Sequence, residues 1–484
     1  MCKLKNFLIR LPHGIPSIGV FIVMEIYFKF FIARAGVYVL YCLEKRVCMK
    51  KTTFWTTVRD SFWFLPIVYG LCSMIAAGVI TALDVWLVPK VSGSIPNILL
   101  TGQSIAKQLY AALITAMLTM TTISFSTIMV MLTTYSSQFS PRALQDFMQS
   151  KITQHVLGVY TFGFIFVLIN LWLLTETNQK DLLSPFFTVV ITIISLGFFI
   201  LFIHFSARWA QVNFLIGVIR NKASELIRET FAERTYGEHQ HWDHSQIESI
   251  REKDRQTIHA RRSGYIQQVN YNYLINWAAD NDMVLEATFQ VGDYVPKGMP
   301  VFYFWSLRDK NDKLAEHDYF LAIGDERTDL QDIAFSIEKL VEIAVKALST
   351  SMNDPNTAIN CIHRIGGLLS ELAGNYRPVT YFSDNNGDLR LIMEQKYFRD
   401  YLFKSFYQIK HYGKDDISVV YSIVDTLYKV AIVSEGSIQK EVWRFTNYVL
   451  EAVDIENLPS MDYQHLKNVT EKFAYLFGEE LEWE

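Results

Sequence analysis

Four stretches of the chain are apolar and nearly free of charge for long enough to cross a bilayer as helices. They are Phe62 to Leu87, Ala111 to Tyr135, Val156 to Leu174 and Phe186 to Phe205. The hydrocarbon core of a bilayer is about 30 Å thick and needs about 20 apolar helical residues. The pattern predicts an α-helical integral membrane protein with a four-span bundle at residues 56–222.

The second stretch differs from the others, because hydroxyl side chains recur along it every three, four or seven residues. The positions are Thr115, Thr119, Thr122, Ser126 and Thr133. A helix brings them onto one narrow face. Two interpretations are open: a helix-packing stripe whose hydroxyls bond across a contact or to their own backbone, or the lining of a pore in a symmetric oligomer.

The same stretch ends at a polar corner that runs to Arg142. Ser140 suits a helix N-cap and Pro141 the first position of a new helix. We predict a membrane-face corner. There the Arg142 guanidinium either holds lipid phosphate or gates a pore, or it only anchors the chain at the cytoplasmic membrane face in the way that the positive-inside rule expects.

Residues 1–55 form an N-terminal extension whose apolar run, residues 18–43, contains Glu25, Lys29 and Arg34. A charge at the centre of a span costs about 2.5–3.5 kcal/mol, whereas each large apolar residue gains about 0.3–0.6 kcal/mol. The free energy of membrane insertion is therefore close to zero, and the run predicts a marginal, extra N-terminal helix. Met49 offers an alternative start.

Basic residues mark the orientation of the four spans. They precede the first span, lie between the second and third, and follow the fourth: Lys45, Arg46, Lys50, Lys51, Arg59, Arg142, Lys151, Arg208, Arg220 and Lys222. The positive-inside rule then places both ends of the bundle, and the C-terminal domain, in the cytoplasm.

The helical pattern continues past Phe205 and predicts that the fourth span runs on as a stalk, which with a charged connector fills residues 223–262. Three histidines of the connector, beside Asp243, are of the zinc-ligand type: His239, His241 and His244. Their spacing matches no closed zinc site, so we expect a solvated linker and no bound metal.

Alternating strands and glycine-rich turns begin at Ser263. The turn from Val291 to Val301 contains Gly292 and Gly298 and resembles that of lipoyl and biotinyl-type barrels. No lysine stands in the Met-Lys context that those carriers modify. Residues 263–327 are therefore predicted to be a small β-barrel-like module without a swinging arm.

Residues 328–484 are predicted to be mainly helical, so the C-terminal domain as a whole is of mixed α+β class. A capping box from Thr328 to Gln331 predicts the first helix start. A second start is predicted at a helix-cap corner made of Asn353, Asp354 and Pro355, which either only caps or offers an ion site. A hairpin is predicted between residues 379 and 393.

Composition narrows the class of protein. Of 484 residues, 50% are hydrophobic, and the formal net charge is −4. The small charge and the absence of a Lys/Arg run disfavour nucleic acid, and the five scattered cysteines form no CxxC pair. No nucleotide-binding, hydrolase or metalloprotease motif occurs, so we expect no cofactor and lean away from an enzyme.

Three groups of residues together resemble a known family: Ser137 to Arg142, Ser263 to Ile266 with Val291 to Asp293, and Ala347 to Ser349 with Asn353 to Ala358. It is a bacterial family of predicted membrane proteins, domain of unknown function two-two-five-four, and the resemblance covers about residues 55–450. This chain departs from the family at Thr350, where we expect proline, and in its first 48 residues. The resemblance implies a multi-pass protein of the bacterial inner (cytoplasmic) membrane and no particular activity.

The residues therefore favour an oligomeric channel or pore with a cytoplasmic regulatory domain. The expected partners are the lipid bilayer and further copies of the same chain. The alternative is a membrane-anchored sensor or scaffold without transport activity. Intramembrane carboxylate pairs typical of proton-coupled carriers are absent from the sequence, which disfavours that class.

Overall fold

The computed structural model describes residues 63–91, 96, 99–138, 147, 150–174, 181–232, 236–307, 320–377 and 379–478. Within them, four helices are long and apolar enough to cross a membrane by length and composition. They are α1 (Phe64–Trp86), α3 (Gln103–Gln138), α4 (Lys151–Leu174) and α5 (Ser184–Trp209), with a short α2 (Val88–Val91) after α1. Each contains most of one predicted span, so the prediction of four such helices is confirmed. The apolar run at 18–43 and Met49 lie outside the described residues.

Helix α4 is the centre of the four-helix bundle, because it packs against α1, α3 and α5. Glycines let the neighbours approach it closely: a Cβ at Gly158 would meet the Tyr69 ring, and one at Gly163 would meet Met117. Small residues at such contacts are the usual basis of helix packing in membranes. Strands β1 (Thr101–Gly102) and β2 (Asp181–Leu182) pair beside the bundle.

The fourth span does not continue unbroken, so the predicted stalk is wrong. Helix α5 ends at Trp209, and Gln211 adopts extended angles (φ −87°, ψ 121°) before α6 (Val212–Thr230) begins. The apolar face of α6 is buried: Leu215, Ile216, Ile219, Ala223, Leu226 and Ile227. Since that face needs a partner, α6 packs against two later helices, α9 and α10, instead of projecting alone.

The C-terminal helices form one hydrophobic core together with α6. They are α9 (Ile333–Ala347), α10 (Pro355–Asn375), α11 (Phe398–Gly413), α12 (Ile417–Val433), α13 (Gly436–Leu450) and α14 (Ser460–Phe477). Helix α10 packs against α6, α9 and α12. Fully buried side chains such as Ile362, Leu369, Ile423 and Phe473 fill the space between them.

The N-cap of helix α9 lies four residues later than the predicted one, at Asp332 and not at Thr328. Asp332 Oδ1 accepts from the backbone N–H of Phe335 at 3.1 Å. Gln331 instead bonds the backbone of Val269, accepting from its N–H at 2.9 Å and donating to its carbonyl at 3.1 Å. This tertiary contact fixes residues 328–331 against a strand, so the Thr328 start is wrong.

The strands form open sheets, and within the described residues no closed barrel occurs. A six-stranded sheet has the order β3-β10-β11-β6-β8-β4, and a three-stranded sheet the order β7-β5-β9. The strands are β3 (Gly237–His239), β4 (Arg255–His259), β5 (Gly264–Val269), β6 (Met283–Ala287), β7 (Tyr294–Val295), β8 (Pro300–Ser306), β9 (Leu321–Gly324), β10 (Tyr381–Ser383) and β11 (Leu389–Ile392). Two short helices, α7 (His244–Arg251) and α8 (Tyr271–Asp280), lie between them in the chain.

The predicted barrel is wrong because the strands of the module divide between two sheets, one of which continues into strands outside the module. β6 pairs with β8 on one edge and with β11, about a hundred residues away, on the other. Within the described part of the chain, β5 pairs only with β7 and β9 and so belongs to a different sheet. By contrast, the predicted hairpin at 379–393 is confirmed by antiparallel β10 and β11.

Candidate functional site

The hydroxyl stripe of the second span lies on the exposed face of α3. Four of its members donate to the carbonyl four residues earlier, at 2.8–3.0 Å: Thr115, Thr119, Thr122 and Thr133. Ser126 is also exposed. Because each threonine proton is used by the helix itself, what these side chains present outward is an oxygen that still accepts.

The opposite face of α3 makes the contacts inside the chain. Its buried side chains are Ala106, Tyr110, Met117, Met120, Ser124, Ile128 and Met131. They face α4 and α5, the helices against which α3 packs. Among the residues that the structure describes, Thr115, Thr119, Thr122 and Ser126 therefore take no part in packing, and they stay available to lipid, to water or to another copy.

The other outer faces of the bundle are aliphatic. Helix α1 exposes Ile67, Leu71 and Ile75, and α5 exposes Ile193 and Ile200, all by 58–69%. The stripe on α3 is flanked by apolar side chains as well: Leu118, Ile123 and Phe125. A hydroxyl line with apolar flanks is thus a local feature of α3 and not the general character of the surface.

The two predicted corners have different outcomes. The membrane-face corner, Ser140, Pro141 and Arg142, lies outside the described residues. At the helix-cap corner the predicted cap is confirmed: Asp354 accepts from the backbone N–H of Thr357 at 3.2 Å and from its hydroxyl at 2.6 Å.

Pro355 is at the start of α10, and Asn353 adopts a positive φ of 45° that turns the chain between α9 and α10. In the next turn Asn360 donates to Asn213 of α6 at 2.8 Å. The cap therefore joins α9 to α10, while Asn360 links α10 to α6, and any ion site at the cap stays a prediction.

Asp84, near the end of the first span, is buried and accepts from the first backbone N–H groups of the fourth. Its Oδ1 lies 2.7 Å from the N of Leu183, and its Oδ2 lies 3.2 Å from the N of Ser184. Tyr110 of α3 donates to the Ser184 hydroxyl at 2.8 Å. A carboxylate at a helix N-terminus is stabilised by the helix dipole, so this cluster fastens α1 and α3 to α5.

A buried charge network joins the strands to the C-terminal helices. Asp332 is 2% exposed, and its Oδ2 accepts from Arg327 Nε at 2.6 Å. Lys396 Nζ lies 3.4 Å from its Oδ1 and donates to the carbonyl of Val291 at 2.5 Å. Gly292 allows this approach, because a Cβ there would lie 1.9 Å from Asp332 Oδ2.

Further ion pairs extend the network along α9. Glu338 pairs with Arg327 at 2.6 Å and with Lys404 of α11 at 3.1 Å, and Lys339 pairs with Asp329 at 2.7 Å. Every acidic side chain in this set is paired with a basic one. This arrangement suits a network that stabilises the fold better than a site that transfers protons.

Electrostatics support that interpretation. Burial opposes the charge on Arg327, but its bonds to Asp332 and Glu338 outweigh this and raise its pKa. Burial lowers the pKa of Lys396 despite the attraction of Asp332. Burial alone would raise the pKa of Asp329, yet Lys339 holds it below its usual value.

Sequence reasoning missed this network. Its members come from two loops and two helices, and only Asp332, directly before an apolar helix, carries a local capping signal.

Among the described residues no group of three or more His, Cys, Asp or Glu side chains is arranged to hold a metal ion. The connector histidines have other contacts: His239 bonds Ser383 at 3.0 Å, and His244 lies 3.5 Å from Glu248.

Four helices that are long and apolar enough to cross a membrane, followed by a mixed C-terminal domain, are the features of a predicted membrane protein with four candidate spans. The chain belongs to the family described as "Predicted membrane protein (DUF2254)", whose model matches residues 59–429. This confirms the resemblance. The matched range includes all four spans and both C-terminal sheets and ends within α12.

Curated relatives in mycobacteria cover most of the same range. The uncharacterized proteins MT1328 and Rv1290c of Mycobacterium tuberculosis and Mb1321c of Mycobacterium bovis are each 26% identical to this chain over 388 residues. The match spans 77% of this chain and 72% of each relative. No solved structure matches the chain.

Proposed function

We propose that the protein is a homo-oligomeric channel or pore of the bacterial inner membrane, in which copies of α3 face a common axis. The observation that carries the proposal is the hydroxyl stripe on α3, whose residues Thr115, Thr119, Thr122 and Ser126 are exposed and make no packing contact within the described part of the chain. Because the stripe lies on the outside of one bundle, a path along it is enclosed only by further copies.

The chemistry of the stripe suits a passing cation. Hydroxyl oxygens replace water around an ion without the cost of a buried charge. Since the threonine protons are donated to the helix backbone, the oxygens act as acceptors toward the axis. The apolar flanks, Leu118 and Phe125, would then contact neighbouring copies or lipid.

The C-terminal domain lies in the cytoplasm in this proposal and regulates the path. The support is the distribution of Lys and Arg around the spans, with Arg208, Arg220 and Lys222 after the fourth. Helix α6 follows α5 after a break at residues 210–211 and packs into the C-terminal core. Because only residues 210–211 separate α6 from α5, a movement of that core would act directly on the last helix of the bundle.

A membrane-anchored scaffold or sensor without transport activity is the second candidate. A groove of about 350 Å³ between α9 and α11 favours it, because its lining combines aromatic and charged side chains. Phe403 and Tyr407 stack there with ring centroids 4.7 Å apart, beside Glu338 and Lys404. Exposed aromatic side chains of this kind are common at protein contacts.

Ion flux separates the two candidates. We expect purified protein in liposomes to conduct K⁺ in preference to Cl⁻, and we expect a water-soluble thiol reagent to block flux through Thr122→Cys in a background without native cysteines. The matched control is Ile200→Cys on the aliphatic face of α5, which should conduct and resist the reagent. Absence of flux from intact, reconstituted protein would favour the scaffold and overturn the channel.

A further inference from the structure

A polar pocket lies between α6 and α10, the first helix after the fourth span and a central helix of the C-terminal core. Its volume is about 400 Å³, which is within the range of small-molecule sites. Six side chains line it: Arg220, Asn221, Ser224, Arg228, Glu371 and Asn375. Two of them are guanidinium groups and one is a carboxylate.

The spacing of these residues explains the pocket. Arg220, Ser224 and Arg228 follow each other at steps of four and share one face of α6, as Glu371 and Asn375 do on α10. Two such faces packed side by side leave a groove with polar walls. The groove lies outside the buried charge network and outside the α3 stripe.

The two guanidinium groups differ in their partners within the described residues: Arg220 forms an ion pair and Arg228 does not. Arg220 donates from Nη2 to Glu371 Oε1, and Ser224 donates to the second carboxylate oxygen. Arg228 has no ion pair among the residues that the structure describes, and it is exposed. The floor of the pocket is thus nearly neutral, while Arg228 adds a positive charge at one end.

The remaining polar groups add amide donors. Asn221 accepts from Arg220 at 3.4 Å through its side-chain oxygen, so its amide nitrogen keeps both protons. Asn375 uses one proton for the Glu371 carbonyl at 2.8 Å and keeps the other. Guanidinium and amide donors together are the usual means of holding phosphate oxygens.

We propose that the α6–α10 pocket binds a phosphate-bearing ligand, with Arg228 as the principal cation and Asn221 and Asn375 as supporting donors. The Arg220–Glu371 pair forms the floor of this site. The phosphate comes either from a soluble molecule or from a lipid headgroup, since the same chemistry recognises both. The pocket does not require the channel proposal and is tested by binding alone.

The test uses the full chain in detergent at constant ionic strength. Calorimetry with inorganic pyrophosphate probes the soluble source, and native mass spectrometry with added phosphatidylglycerol probes the lipid source. Arg228→Ala should weaken binding by about 10- to 100-fold, as expected when a charged hydrogen bond is lost. The matched control is Arg364→Ala, an exposed arginine of α10 that does not line the pocket, and it should bind like the parent.

A second variant tests the sign of the charge. Glu371→Gln removes the only carboxylate among the described residues that line the pocket and should tighten anion binding, whereas a pocket built for a cation would bind its ligand less well. Binding of either probe that falls with Arg228→Ala and rises with Glu371→Gln supports the proposal and identifies the source. Equal binding by Arg228→Ala and Arg364→Ala, or no binding of either probe by folded parent protein, overturns it.

Discussion

Asp332→Ala should strongly destabilise the C-terminal domain. It removes the partner of Arg327 and Lys396, and it removes the N-cap of α9. Breaking a buried ion pair by deleting one partner costs about 3–5 kcal/mol, and loss of a cap adds about 1 kcal/mol. Because Arg327 keeps its ion pair with Glu338, we expect the total loss of unfolding free energy to lie near the lower end of the range of about 3–5 kcal/mol for a broken ion pair.

The measurement is the midpoint of thermal unfolding of the full chain in detergent. A domain of this size shifts by about 2–4 °C per kcal/mol, so a fall of about 10 °C is expected. The control is Asp388→Ala, because Asp388 also pairs with an arginine but its side chain is 64% exposed. If both variants melt within about 2 °C of each other, the buried ion-pair network does not stabilise the domain as we propose.

Gly292→Ala should also be strongly destabilising, and Gly298→Ala provides an internal comparison. Both glycines have strongly positive φ angles, 92° and 88°. A Cβ at Gly292 would overlap the Asp332 carboxylate, whereas a Cβ at Gly298 meets nothing within 4 Å. Backbone strain is therefore common to both variants, and the steric conflict belongs to Gly292 alone.

Strain at such angles costs about 1–3 kcal/mol, and crowding of a packed site costs about 1–3 kcal/mol more. We expect Gly298→Ala to lose about 1 kcal/mol and Gly292→Ala at least about 3 kcal/mol, measured as denaturant midpoints. Equal losses would mean that the turn tolerates the Cβ by moving away from Asp332. A loss only at Gly298 would contradict the geometry outright.

The parts of the fold that the sequence predicts well depend on neighbouring residues. The four spans follow from local apolar runs, and the start of α10 follows from Asp354 and Pro355. The hairpin of β10 and β11 follows from a turn sequence between two short strands. In each case the decisive interactions lie within a few residues along the chain.

The failures involve partners that are distant in sequence. Leu285 of β6 pairs with Leu391 of β11, and no local signal reveals that pairing, so a barrel looks equally consistent with the strand pattern. Thr328 and Asp332 both carry capping signals, and the contact between Gln331 and Val269 decides between them. The Arg220–Glu371 pair spans 151 positions, so the pocket between α6 and α10 was not visible from the spacing alone.

The most direct test of the channel proposal is the water accessibility of α3 in the membrane. Single cysteines at Thr115, Thr119, Thr122 and Ser126, in a background without native cysteines, are treated with a membrane-impermeant thiol reagent that reacts only with a hydrated thiolate. The controls are Ile193→Cys and Ile200→Cys, which lie on the exposed aliphatic face of α5. A water-filled path predicts that all four stripe positions are labelled while both controls are protected. Protection of the whole stripe in folded, membrane-inserted protein would contradict the proposal.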